Sequence, residues 1–92
     1  MSQAEAEKYL KQLNTRWHIN EAGHLSAHFK FKTFRQALDF ANQVGALSDQ
    51  EGHHPNLMIS WGRCDIEIWT HKIQVLTESD FILAAKIDFL EK

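Results

Sequence analysis

The sequence predicts an α+β domain in the order α-β-β-α-β-β-α, with a four-stranded antiparallel sheet covered by helices on one face. Three observations carry this reading. Two pairs of short segments alternate apolar and polar residues, and each pair is separated only by a turn, so each closes as a hairpin. Three other segments repeat apolar residues at helical spacing. Capping residues stand at the start of those three segments.

The first helix is expected over residues 2–14. Ser2 can cap it, and Ala6, Tyr9, Leu10 and Leu13 form its apolar stripe. Trp17-His18-Ile19 and residues 25–31 are the first strand pair, joined through the turn at Asn20–Gly23. Leu25, Ala27, Phe29 and Phe31 share one face of the second strand; Ser26, His28 and Lys30 share the other. Thr33-Phe34-Arg35-Gln36 is a capping-box pattern that opens a second helix to about Leu47, with Phe34, Ala37, Leu38, Ala41 and Val44 inward. Asp49–Gly52 ends it, and His53-His54-Pro55-Asn56 is irregular. Residues 57–61 and 64–70 are the second strand pair, turned by Gly62-Arg63. Thr77 caps the third helix, which carries Phe81, Ala84, Ala85 and Ile87 to about Leu90. The uncovered sheet face, with Trp69 and several apolar positions, is expected to be a seam for self-association.

The chain has 92 residues, which suits one domain over 1–92 and leaves a modest core. Ten basic and twelve acidic side chains give a net charge of −2. That balance supplies no field for a nucleic-acid backbone and no basic membrane-surface helix. No apolar run approaches membrane-spanning length. The one cysteine, Cys64, cannot form an intrachain disulfide, and no basic leader precedes an apolar stretch. These features point to the cytoplasm.

His53-His54-Pro55 is the segment with chemical potential. Imidazole titrates near neutrality and can give or take a proton. Pro55 pushes His54 toward an extended backbone, so the two rings should point in different directions. The hairpin that starts after His54 returns the chain to its origin, which should bring His71 near the pair. The alternative is a solvated His-His loop. Zinc accepts three histidines and water, but neighbouring residues rarely ligate one ion together, and no carboxylate or cysteine stands at ligand spacing. Cys64 is expected to face inward without an activating neighbour. His18, His24 and His28 are read as surface residues, and Asp80 as a helix-terminus acid.

Asp49-x-x-x-His53-His54-Pro55, then five residues to Trp61, nine to His71 and eight to Asp80, resembles the signature of the pterin-4a-carbinolamine dehydratases. The likeness runs from about Lys8 to Asp88. It implies a four-stranded antiparallel sheet, homodimers or homotetramers, no metal and no other cofactor. It also implies dehydration of 4a-hydroxytetrahydrobiopterin to quinonoid dihydrobiopterin, which recycles the pterin. His53, His54 and His71 carry over as the catalytic residues. Pro55, Trp17 and Asp80 carry over as substrate-side residues, with Trp17 and Trp61 supporting the pocket by packing. Asn56 stands where the family often has an acid, Val75 where it often has glycine, and Ser79 where many members have arginine. On the same fold the resemblance leaves two other roles: a non-catalytic assembly or coactivator module, and a molybdopterin-related function.

Overall fold

The computed structural model describes residues 1–90. The elements follow the predicted order: α1 (Gln3–Leu10), β1 (His18–Ile19), β2 (Leu25–Lys30), α2 (Phe34–Glu51), β3 (Asn56–Ser60), β4 (Arg63–Ile68) and α3 (Glu78–Leu90). The strands form one antiparallel sheet in the order β1-β2-β4-β3. The helix α2 carries the chain from β2 across to the far edge, and β4 then returns between β2 and β3. This makes β4 a central strand, bonded on both sides.

Capping chemistry sets the helix starts. The Ser2 hydroxyl accepts the Glu5 N–H while the Glu5 carboxylate accepts the Ser2 N–H, a reciprocal pair at 3.2 Å each. α1 stops at Leu10, earlier than expected. Tighter bonds from Gln12 to Tyr9 and from Leu13 to Leu10 follow, and the Asn14 side chain then takes the Arg16 N–H. Thr33 caps α2 by accepting the Gln36 N–H at 3.1 Å. That helix runs one turn beyond Leu47. Ser48 is buried with its hydroxyl on the Val44 carbonyl, and the helix ends at the left-handed Gly52, φ 65°. Phe34, expected inward, sits in the first turn of α2 and is exposed.

The core lies between the helices and one sheet face. Leu25, Ala27 and Phe29 of β2 and Cys64, Ile66 and Ile68 of β4 are all buried there, as strict alternation requires. Phe29 packs on Phe40 at 4.7 Å and edge-on to Trp17 at 6.1 Å. The Trp17 indole N–H donates to the Asp88 carboxylate at 3.0 Å, which ties the entry of β1 to α3.

Two expectations fail on the sheet. The β3–β4 turn is Trp61-Gly62, because Ser60 already pairs with Arg63. Trp61 is therefore at the tip and 75% exposed, at the sheet end away from Asn56, so it supports no pocket there. The uncovered face is also not an apolar seam. It carries His28, Asp65 and Arg63, with Asp65 accepting from Arg63 Nε and meeting His28 Nδ1, each at 2.7 Å. Met58 is its one large exposed apolar side chain among the described residues of the strands. No helix among the described residues is long and apolar enough to cross a membrane.

Gly62 adopts φ 69°, and a Cβ there would stand 2.8 Å from the Phe31 carbonyl oxygen. Gly62→Ala should therefore cost about 1–3 kcal/mol of stability, read as a lower urea midpoint at unchanged slope. Burial pushes the Cys64 thiol up from 9.0 to about 11, with the Asp65 charge adding to it. Between those values the unfolded chain releases the thiol proton while the folded chain keeps it, so stability falls as pH rises. Urea unfolding of Cys64→Ala across that window should lack this part of the alkaline decline.

Candidate active site

The sheet order gathers four distant segments at one end. Asn56 pairs with Glu67, so the residues just before β3 lie beside those just after β4. Leu25 pairs with Ile68, which brings the β1–β2 turn and His24 to the same edge. α3 begins there as well, through the turn that follows His71. Gly52, His53, His54, Trp69, Thr70, His71 and Lys72 line one cleft of about 300 Å³. A larger hollow of about 620 Å³ lies between α1 and the β1–β2 turn, but no imidazole lines it.

His53 and His54 emerge directly from the end of α2. The left-handed Gly52 reverses the chain, and the His53 N–H returns to the Ser48 carbonyl at 3.1 Å. The two rings then diverge. His53 Nε2 points inward and meets Asp80 Oδ1 at 2.5 Å. His54 Nε2 points outward to Asp49 Oδ1 at 2.9 Å, and both partners of that pair are exposed.

Asp80 is fully buried. Its other oxygen accepts the Thr77 N–H at 2.7 Å and the Thr70 hydroxyl at 3.0 Å. The Thr70 hydrogen is used there, so the Thr77 hydroxyl donates to Thr70, at 2.9 Å. Thr77 therefore adjoins α3 as expected, but its hydroxyl serves this network. With Asp80 as a carboxylate it can only accept, so the bond to His53 calls for the tautomer with its hydrogen on Nε2, and Nδ1 is then the nitrogen without a partner among the described residues. A buried carboxylate needs this complete set of donors. Its place is behind His53, not among the residues that line the cleft.

His71 is held differently. It sits in an exposed turn closed by the Thr70 N–H on the Val75 carbonyl at 3.1 Å. The left-handed residue of this turn is Gln74, φ 60°, so Val75 stands where no glycine is needed. Gln74 Nε2 donates to the His71 carbonyl at 2.5 Å. The His71 ring lies on the Trp69 indole, 4.2 Å between centroids and 28° between planes. Neither of its ring nitrogens has a hydrogen-bond partner among the described residues.

Of the residues named from sequence, His53, His54 and His71 share the cleft. Trp17 does not: it is buried in the core with its N–H on Asp88. Pro55 borders another hollow, with Ser26, His28 and Met58. His24 is not a plain surface residue. Its side chain is 14% exposed, stacks on Trp69 and meets Glu67. The alternation of β2 and β4 put His24 and Trp69 on one face; only the strand order made them neighbours. Among the described residues, no three His, Cys, Asp or Glu side chains are grouped to hold a metal ion.

Residues 1–90 match the family model described as Pterin 4 alpha carbinolamine dehydratase. A Rickettsia bellii protein, provisionally named a pterin-4-alpha-carbinolamine dehydratase, is 56% identical over 99% of this chain and 80% of its own length. An Alkaliphilus metalliredigens protein with the same provisional name is 46% identical over 96% of this chain and 79% of its own. The crystal structure of a transcriptional coactivator/pterin dehydratase from Brucella melitensis superposes with a TM-score of 0.92 at 26% identity, covering all of this chain and 98% of that one. A pterin dehydratase-like protein identified as a RuBisCO assembly factor in the alpha-carboxysome gives 0.65 at 25% identity, over 82% of this chain and 86% of its own. With a family model that spans every described residue and relatives alike over almost the whole chain, this protein belongs to the pterin-4a-carbinolamine dehydratase family.

Proposed function

We propose that this protein dehydrates a pterin 4a-carbinolamine, 4a-hydroxytetrahydrobiopterin or a close analogue, to the quinonoid dihydropterin. The observation that carries the reading is the cleft itself. Three imidazoles line it, one fixed by a buried carboxylate and one with both ring nitrogens open. The reaction breaks the C4a–O bond and forms a C4a–N5 double bond. One group must deliver a proton to the departing hydroxyl, and one must take the proton from N5, so water leaves without change of oxidation state.

His54 and His71 fill these two roles and exchange them according to which ring face bears the hydroxyl. The exposed Asp49 pair costs little to open, so His54 can turn toward substrate. His53 orients the pterin through its free nitrogen. Asp80 positions His53 and does not touch the reacting atoms. Pro55 shapes the loop that presents the pair. In this reading the protein recycles its pterin in the cytoplasm as a homodimer or homotetramer, with no metal or other cofactor.

An assembly or coactivator role is the second reading, favoured by what the two similar solved structures are described as doing. Stopped-flow dehydration of synthetic 4a-hydroxytetrahydropterin separates the two. His54→Ala and His71→Ala should each lower the enzymatic rate by about 10²–10⁴-fold. Full activity in either variant would reject the assignment of roles. Asp80→Ala strands His53, Thr70 and the Thr77 N–H, and should cost about 3 kcal/mol in urea unfolding. Asp80→Asn keeps acceptor oxygen and volume, so it should lose less stability than the alanine variant while still misplacing the His53 proton.

A further inference from the structure

We propose that His24 and Trp69 are positioning residues that set the plane of the His71 ring. The activity part of this inference rests on the dehydration reading above; the structural part does not. Trp69 is the middle layer of a three-ring stack. His71 stacks on it at 4.2 Å and His24 at 4.0 Å with only 7° between planes, and the two imidazoles make no ring contact with each other; two rings this close to one indole could not share a face without touching, so they take opposite faces.

The two ends of the stack differ in rigidity. His24 is anchored. Its Nδ1 meets Glu67 Oε2 at 2.6 Å, and its backbone N–H donates to Asn20 Oδ1 at 3.0 Å. Asn20 Nδ2 donates to the same Glu67 oxygen at 2.9 Å. Hydrogen bonds from Asn20 and His24 hold the Glu67 carboxyl below the usual carboxylate range, which keeps it a charged acceptor. Glu67 belongs to the central strand β4, so the anchor is part of the sheet. His71 is the free end. Its backbone is held by Gln74, but among the described residues its ring has no hydrogen bond and no ring contact besides the Trp69 face.

Trp69 contributes by its faces. Its Nε1 is buried with no hydrogen-bond partner among the described residues. An indole pressed from one side only could tilt toward the empty side and carry His71 with it. His24 fills that side. A ring that must reach a proton on a bound pterin loses rate steeply when misplaced.

The test reads the ring directly. Proton NMR of the full chain, with His71 assigned through His71→Ala, should show its ring protons shifted upfield by the indole. Trp69→Leu should abolish the shift, His24→Ala should reduce it, and His24→Phe should retain it. In the dehydration assay, His24→Ala should lower kcat roughly three- to tenfold with KM little changed, and His24→Phe should restore it. Adding His24→Ala to His71→Ala should cause no further loss. The proposal is overturned if the His71 shifts are the same in His24→Ala and the parent, or if His24→Ala costs as much without His71 as with it. If the parent chain shows no dehydration, the function reading fails and the NMR comparison still decides the stack. Should Trp69→Leu not fold, the His24 pair carries the test alone.

Discussion

A carboxylate with no access to water dictates how this end of the molecule is put together. Asp80 must find donors within the protein, and it finds them on three separate stretches: His53 after α2, Thr70 after β4, and the Thr77 backbone before α3. An unpaired ion in that place would cost several kcal/mol. The three stretches are therefore not free to drift apart. Burial at the start of α3 thus acts as a clamp on the cleft, and His53 is one of its jaws. The helix terminus contributes as well, since its unpaired N–H groups favour a carboxylate in the first turn.

The sheet does the complementary work. A simple row of two hairpins would leave β4 at the edge, and the residues after it beside solvent. Here β4 is central, so its exit is flanked by the start of β3 on one side and the β1–β2 turn on the other. Those flanks supply the His53-His54 pair and His24. The crossover through α2 is what makes this possible, and the left-handed Gly52 at its end aims the pair.

Much of this was legible in the residues. Strand alternation put Leu25, Ala27 and Phe29 together on one face because period two leaves no other face for them, and that face is buried. Caps at Ser2 and Thr33 located helix starts because the first N–H groups need acceptors. Helix ends were less legible. α2 overran Leu47 because its left-handed cap comes only at Gly52, and a buried serine can satisfy itself on a carbonyl one turn back. The turn at Trp61-Gly62 was misplaced by one residue because register depends on pairing across strands. His24 and the open face were misjudged for a deeper reason. Hairpins can be inferred locally, but the adjacency of β2 and β4 is a long-range fact. Without it, His28 opposite Asp65 and His24 against Trp69 look like scattered surface polar groups. The clustering of His53, His54 and His71 escaped that difficulty because one hairpin suffices to bring them together.

The three cleft histidines differ in what restrains them, and the difference suits the proton transfer we propose. His53 has one nitrogen committed to the buried Asp80 side chain, so its ring orientation is set before any ligand arrives. His54 is tied by an exposed pair of small worth, so a ligand can compete for it. His71 has its ring stacked on Trp69 and both nitrogens without a partner among the described residues. Locking all three through their nitrogens would leave nothing to give or receive a proton. Freeing all three would charge the full ordering entropy to the bound state. Fixing His53 through its edge and His71 through its face sets the planes of both rings, while Nδ1 of the first and both nitrogens of the second keep no partner among the described residues.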